Sequence, residues 1–404
     1  MVKIDNRHVR STGWKRKDRS HLRSATEVHW RGLKRNWVEK RRLHVVLSVL
    51  PIIPNIRLLS LYRADINEAQ QAVIFGLSTL RTLEVEGCRF HSSTMAPPFS
   101  HVTALKLTVM DVHTTRRLIT IFASTLETLS IGYFCGRIDY ILQTELIELP
   151  KLTTFTMSYD GFGTSQLTFD AFRRYTSITT LHIFFYDKHF DISVHRSDLP
   201  ALRSLTCYHH LAISLIPERP VTTYVEVLFA GRKRFWTLLH ALSMTQAGIT
   251  NLKLFVPDTF CSLLPSLATY LQHLEQLTLR FCNHVPSLET PSPSHLSEQL
   301  LHNPPVVLPK LRRVTILVDY DKFHLPPESL LKECFIPLCP ALEVFECLYC
   351  SFMSPIFWLE FDQLPGPKGA WEVRRLPDGS WERQGPPPIP IPIPIPAGTL
   401  RAAL

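Results

Sequence analysis

One spacing constrains what this chain can fold into. From Leu80 to Cys88 the apolar residues are Leu80, Leu83, Val85 and Cys88, three, two and three apart. The same frame opens at Ile56, Val102, Leu126, Leu152, Ile178 and Leu202, and again at Ile249, Leu274, Leu311 and Leu342. A degenerate copy lies between Arg219 and Phe229. Among the first seven copies, neighbouring starts are 22 to 26 residues apart. A helix would need apolar residues every three or four positions, and a half-buried strand every second one. Neither rule holds for long here, whereas a steady period in the twenties marks stacked supersecondary units.

The physical reading follows from that period. The last two apolar positions of each frame alternate with polar ones, so they predict a short strand with one face inward. The first apolar residue, three positions earlier, leads into the same core. Between strands the period becomes helical: Asp111–Thr125 sets Leu118, Ile119, Phe122 and Ala123 on one face. Lys233–Gly248 and Asp258–Gln272 read the same way, with Gly248 as a stop. One strand–loop–helix unit cannot bury its apolar edge alone, but a stack of them can. The expected fold is α/β, a single curved solenoid of about 11 degenerate repeats, with a parallel sheet on the concave face and helices on the convex face.

At this point the chain resembles the leucine-rich repeat family. The motif L-x-x-L-x-L-x-x-C appears as Leu80–Cys88, Leu274–Cys282 and Leu342–Cys350, and the resemblance covers roughly residues 52–352. More narrowly, it is similar to fungal F-box-type proteins with degenerate leucine-rich repeats. Their units commonly begin LP-x-L, as do Leu149–Leu152, Leu199–Leu202 and Leu308–Leu311. The resemblance implies a substrate-recognition subunit of a cullin-type ubiquitin ligase, or a degenerate relative. Its partners would be a protein substrate on the concave face and, if an F-box is present, the ligase adaptor and cullin. Residues 1–50 depart from the pattern. They lack the opening of an F-box, and only Val28–Leu33 (VHWRGL) is similar to the end of that module.

Charge divides the chain. Residues 1–50 hold 14 Lys+Arg against 4 Asp+Glu, while the rest holds 30 against 31. The expected layout is a basic N-terminal arm over 1–50, the solenoid over 51–352 with a Pro/Ser-rich loop at 285–308, a C-terminal cap with a hairpin over 353–384, and a Pro-rich disordered tail over 385–404. Trp14, Trp30 and Trp37 interleave with the basic residues of the arm. That pattern suits a nuclear or nucleic-acid-associated scaffold, the alternative function, or simply a solvated arm that caps the first repeat. The first twenty residues carry no apolar run, and the stretch Leu43–Ile56 is broken by Pro51 and Pro54. With nine cysteines, an odd number, the expectation is an intracellular protein, cytoplasmic or nuclear, with no membrane partner.

No reaction is legible. Cys347-x-x-Cys350, with Cys334 and Cys339 upstream, has spacing that permits zinc. The repeat register gives another reading. Cys350 follows Leu342 by eight residues, as Cys88 follows Leu80, so both members of the pair are expected to be core thiols. Histidines are scattered, Gly is only 15 of 404, and the common hydrolase and phosphate-binding motifs are missing. No catalytic residue, cofactor or metal is expected. A partner-binding site is. Residues six and seven after each start are often aromatic: Tyr133, Tyr159, Phe184, Phe185, Tyr208, His209, Phe255 and Phe281, with Tyr62 and Tyr349 in the same register. They are expected to end the strands on the concave side and to anchor a partner. The alternative is that the rings stack on one another across neighbouring strands.

Overall fold

The computed structural model describes residues 2–4, 26–31, 50, 53, 55–91, 101–132, 147–159, 175–185, 194–195, 197–226, 232–256, 264–281, 307–319, 328, 330–350 and 369–384. The chain divides into two compact units, Met1–Val221 and Thr222–Leu404. The Pro/Ser-rich loop and the Pro-rich tail lie outside the described residues.

Among the described residues of the first unit nine strands run parallel, each paired with the next. They are β1 (Val2–Ile4), β2 (Glu27–Arg31), β3 (Leu58–Tyr62), β5 (Thr82–Glu86), β7 (Ala104–Thr108), β8 (Thr128–Gly132), β9 (Thr154–Tyr159), β10 (Thr180–Phe185) and β11 (Ser204–Cys207). Two short strands, β4 (Asp65–Ile66) and β6 (Arg89–Phe90), pair in a small second sheet.

The repeat spacing becomes columns. Leu59, Leu83, Leu105, Leu129, Phe155, Leu181 and Leu205 stand opposite one another in register, and each is at most 1% exposed. Two residues on, Leu61, Val85, Leu107, Ile131, Met157 and Ile183 form a second buried column. Each large side chain so buried stabilises by roughly 1.5–3 kcal/mol. The lead-in residues Ile56, Leu80, Val102, Leu126, Leu152, Ile178 and Leu202 are buried too.

A backbone brace fixes the rise from unit to unit. The carbonyl after the lead-in residue accepts two N–H groups from the next copy: Arg57 O from Arg81 and Thr82, and Thr153 O from Thr179 and Thr180, at 2.8–3.0 Å. Arg81, Thr103, Glu127 and Thr179 repeat it. Three early strands stop at the same place, one residue past their end, where Arg63, Gly87 and Val109 have φ of 50°, 59° and 53°. That left-handed conformation is free for glycine but costs a β-branched residue such as Val109 on the order of 1 kcal/mol.

The helices pack behind the columns. In α1 (Glu68–Phe75), Asn67 Oδ1 accepts from the Gln70 amide while Gln70 Oε1 accepts from the Asn67 amide, a reciprocal cap. In α2 (Val112–Phe122), Asp111 accepts from the Thr114 amide at 2.8 Å. Leu118, Ile119 and Phe122 of α2 face inward as the periodicity predicts, and Phe122 meets Phe75 edge to face at 5.4 Å. Helix α3 (His209–Leu215) follows β11, and the buried Arg219 closes it. Its guanidinium donates to the carbonyls of Leu215, Asp198 and His195 at 3.0, 2.8 and 2.8 Å.

The second unit repeats the plan. Strands β12 (Thr223–Glu226), β13 (Asn251–Val256), β14 (Gln276–Phe281), β15 (Arg313–Asp319) and β16 (Val344–Cys350) are parallel. An antiparallel hairpin of β17 (Gly369–Arg375) and β18 (Trp381–Gln384) follows, and β17 pairs with β16. Tyr224, Leu252, Leu277, Val314, Phe345 and Val373 form its first core column. Helices α4 (Arg232–Ser243) and α5 (Leu264–Tyr270) and a π-helical turn (Leu330–Phe335) supply the other side of the core.

The sheet reaches further toward the N-terminus than the frame suggests. Val28 and Trp30, within the segment read above as a basic arm, are 0% and 2% exposed and stand opposite Leu59 and Leu61. The stretch that is similar to the end of an F-box is thus, through Arg31, a strand of the repeat sheet.

Candidate functional site

A strand whose alternate residues fill a core presents the others on its opposite face. In the first unit one outward column runs Thr82, Ala104, Thr128, Thr154, Thr180 and Ser204. The next runs Ser60, Glu84, Lys106, Ser130, Thr156, His182 and Thr206. From β8 to β11 the face is therefore lined almost wholly by hydroxyl groups. The sequence achieves this by setting Thr or Ser between the apolar residues, in T-L-S-I, T-F-T-M, T-L-H-I and S-L-T-C. Threonine suits the place, because a β-branched side chain packs well on a half-covered pleated surface. These side chains are half-buried, apart from Thr206 at 5% exposure.

His182 breaks the hydroxyl pattern. It stands between Thr156 and Thr206, and its ring lies parallel to that of Phe184, 6.5 Å away. Burial pulls its imidazole below the ordinary histidine range, which keeps it neutral near pH 7. Its Nδ1 has no hydrogen-bond partner among the described residues.

The aromatic row expected at the strand ends separates into two sets. Phe184 and Phe255 take position six of their frames, whereas Tyr159, Phe185 and Phe281 take position seven. Phe184 stands opposite Ser158 and is 8% exposed. Phe255 is 4% exposed, opposite Arg280, whose guanidinium lies 5.0 Å from the ring centroid in a cation–π contact. Leu317, next in that column, is fully buried. Tyr208 lies past the end of β11, and His209, 7% exposed, is the first residue of α3, so this pair lies beyond the sheet. Tyr159 and Phe185 stand opposite one another, and Phe281 stands opposite Val256. The side chains of Tyr159, Phe185 and Phe281, and all of Tyr133, lie outside the described residues. Phe184, Phe255 and His209 are thus largely buried, and the first unit's open face presents its two outward columns, charged at Glu84 and Lys106 and lined mainly by hydroxyl groups from β8 to β11. Sequence reasoning passed those columns over because it followed the large side chains; the polar letters between the leucines were the available signal.

On the open face of the second unit, charge is paired. Arg313 lies 3.8 Å from Glu346, which also accepts a hydrogen bond from Thr315 Oγ1 at 3.0 Å. Cys347, opposite Ile316, is fully buried, as is the core position it occupies. Burial pushes the Cys339 thiol up to about 12. The Cys350 side chain lies outside the described residues. Among those residues no group of three His, Cys, Asp or Glu could hold a metal ion, and no helix is long and apolar enough to cross a membrane.

The chain matches no family model, and no curated protein is significantly similar to it.

Proposed function

We propose that this chain is a non-enzymatic protein-recognition scaffold of the leucine-rich-repeat type, which receives its partner on the open face of β8–β11. The observation that carries the reading is the pair of hydroxyl columns at Thr128–Ser204 and Ser130–Thr206. Strands about 4.8 Å apart hold these donors and acceptors in a fixed grid. Such a grid suits the polar groups of another protein's surface, and stacked-repeat proteins use extended sheet faces in this way. By the family resemblance, the scaffold serves as a substrate-recognition subunit of a cullin-type ubiquitin ligase, or is a degenerate relative of one. The nucleic-acid reading is weakened by Trp30, which lies in the core rather than on an arm where it could stack on bases.

The test is affinity capture from cell extract with the wild-type chain and a Thr156→Arg, Thr180→Arg variant. The reading expects a discrete set of proteins, lost from the variant, whose melting temperature stays near wild type. Recovery of a ligase adaptor and a cullin would support the finer reading. Recovery of nucleic acid in place of proteins, lost at high salt, would overturn the proposal.

A further inference from the structure

The helices of the second unit carry a surface that the open-face reading leaves unused. Helix α4 turns Phe235, Leu238, Leu239 and Leu242 inward, each fully buried. On the opposite stripe Trp236 is 42% exposed and Met244, just past the helix end, is 44% exposed. His240 lies midway between them, four residues from each, and is also exposed. Tyr270 at the end of the neighbouring α5 is 39% exposed.

The sequence of α4 opens on three basic residues. Arg232, Lys233 and Arg234 form the first turn of α4. From Val227 to Leu274 the only carboxylate is Asp258, which lies outside the described residues. Just after α5, Lys310 Nζ lies 3.2 Å from His273 Nδ1, with the exposed Glu275 two residues further on.

Exposed apolar side chains on one helix stripe mark an interaction site, and the basic first turn selects an anionic occupant. Trp and Tyr favour the boundary between headgroups and acyl chains, and a basic helix with an exposed tryptophan suits the plane of an anionic bilayer. A lipid surface accepts a protruding ring without a preformed pocket, whereas a protein partner has to supply one. We propose that the outer face of α4, with Tyr270 of α5, docks the second unit on an anionic lipid surface. Such peripheral contact needs no membrane-crossing segment. It departs from the sequence expectation of no membrane partner, because the exposure of Trp236 becomes visible only once the helix is packed.

The experiment is co-sedimentation of the full chain with vesicles of phosphatidylcholine, alone or with roughly 30% phosphatidylserine. The expected result is binding to the mixed vesicles, about tenfold weaker binding to the neutral ones, and loss in about 1 M salt, where the Debye length falls to about 3 Å. Trp236→Ala with Met244→Ser, and separately Arg232→Glu with Lys233→Glu, should each weaken binding about tenfold without shifting the thermal melt. Replacing Lys15, Arg16 and Lys17 by Glu should leave it unchanged. Failure to bind the mixed vesicles would overturn the proposal. So would α4 variants that bind like wild type, or binding lost only with the Lys15–Lys17 changes. Trp236-dependent binding to soluble polyglutamate in place of vesicles would make the occupant an acidic protein, and the lipid assignment would fall.

Discussion

The amide of Ala64 donates a hydrogen bond to the sulfur of Cys88, 24 residues later and one repeat along, at 3.3 Å. The same thiol lies 3.4 Å from the Leu61 carbonyl, so one buried side chain ties a strand end to the turn of the preceding copy. This is the structural use of the eighth position of the frame. Cys88→Ala removes both contacts and leaves the Ala64 amide without its acceptor, so it should cost about 1–3 kcal/mol in chemical denaturation. Cys88→Ser should cost less than Cys88→Ala if the tie matters more than the volume.

Burial raises the Cys88 thiol from its ordinary value of 9.0 to about 12. The sign follows directly. Above pH 9 the unfolded chain loses this proton while the folded chain keeps it, so the contribution to stability is complete below pH 9 and is lost as pH rises toward 12. Cys339 acts in the same direction. Melting temperature should fall between pH 9 and pH 11, and less steeply in a Cys88→Ala, Cys339→Ala variant. In the folded protein both thiols should react slowly with iodoacetamide at pH 8.

The register has its own test. Leu205 stands opposite Leu181, and both are fully buried. Leu205→Asp should cost several kcal/mol and abolish the cooperative melt, because it buries an unpaired charge. A soluble, cooperatively folding variant would contradict the column assignment.

Gly248 stops the segment after α4 with φ of 75°, and a Cβ there would lie 2.7 Å from His273 Cδ2. Gly248→Ala should therefore destabilise the second unit by about 1–3 kcal/mol. Adding His273→Ala should recover only the part due to the clash, since the backbone strain remains.

Much of this architecture was readable because the repeat encodes it directly: three apolar letters at fixed offsets become a lead-in residue and two core columns. Strand β2 escaped because the sequence three residues before Val28 offers only the small Ala25, 31 residues before Ile56, amid basic residues that draw attention to charge. Glu226 is a second local departure. It follows Val225, which stands opposite Lys253, and it is fully buried where other copies carry an apolar residue, with Oε2 accepting from the Phe255 amide at 3.1 Å. The candidate surface was harder to read. Whether Phe184 or Phe255 is open depends on what packs over a strand end, and no residue spacing records that.

Site-specific photocrosslinking tests the central claim most directly. A photoreactive amino acid would replace Thr180 on the open face, or Thr237 on the outer side of α4, and the crosslinked protein partner would be identified from cell extract. The account predicts a discrete partner adduct from position 180, lost when Thr156 is changed to Arg, and none of that adduct from position 237. The same adduct from position 237, with none from position 180, would contradict it and move protein recognition off the hydroxyl columns.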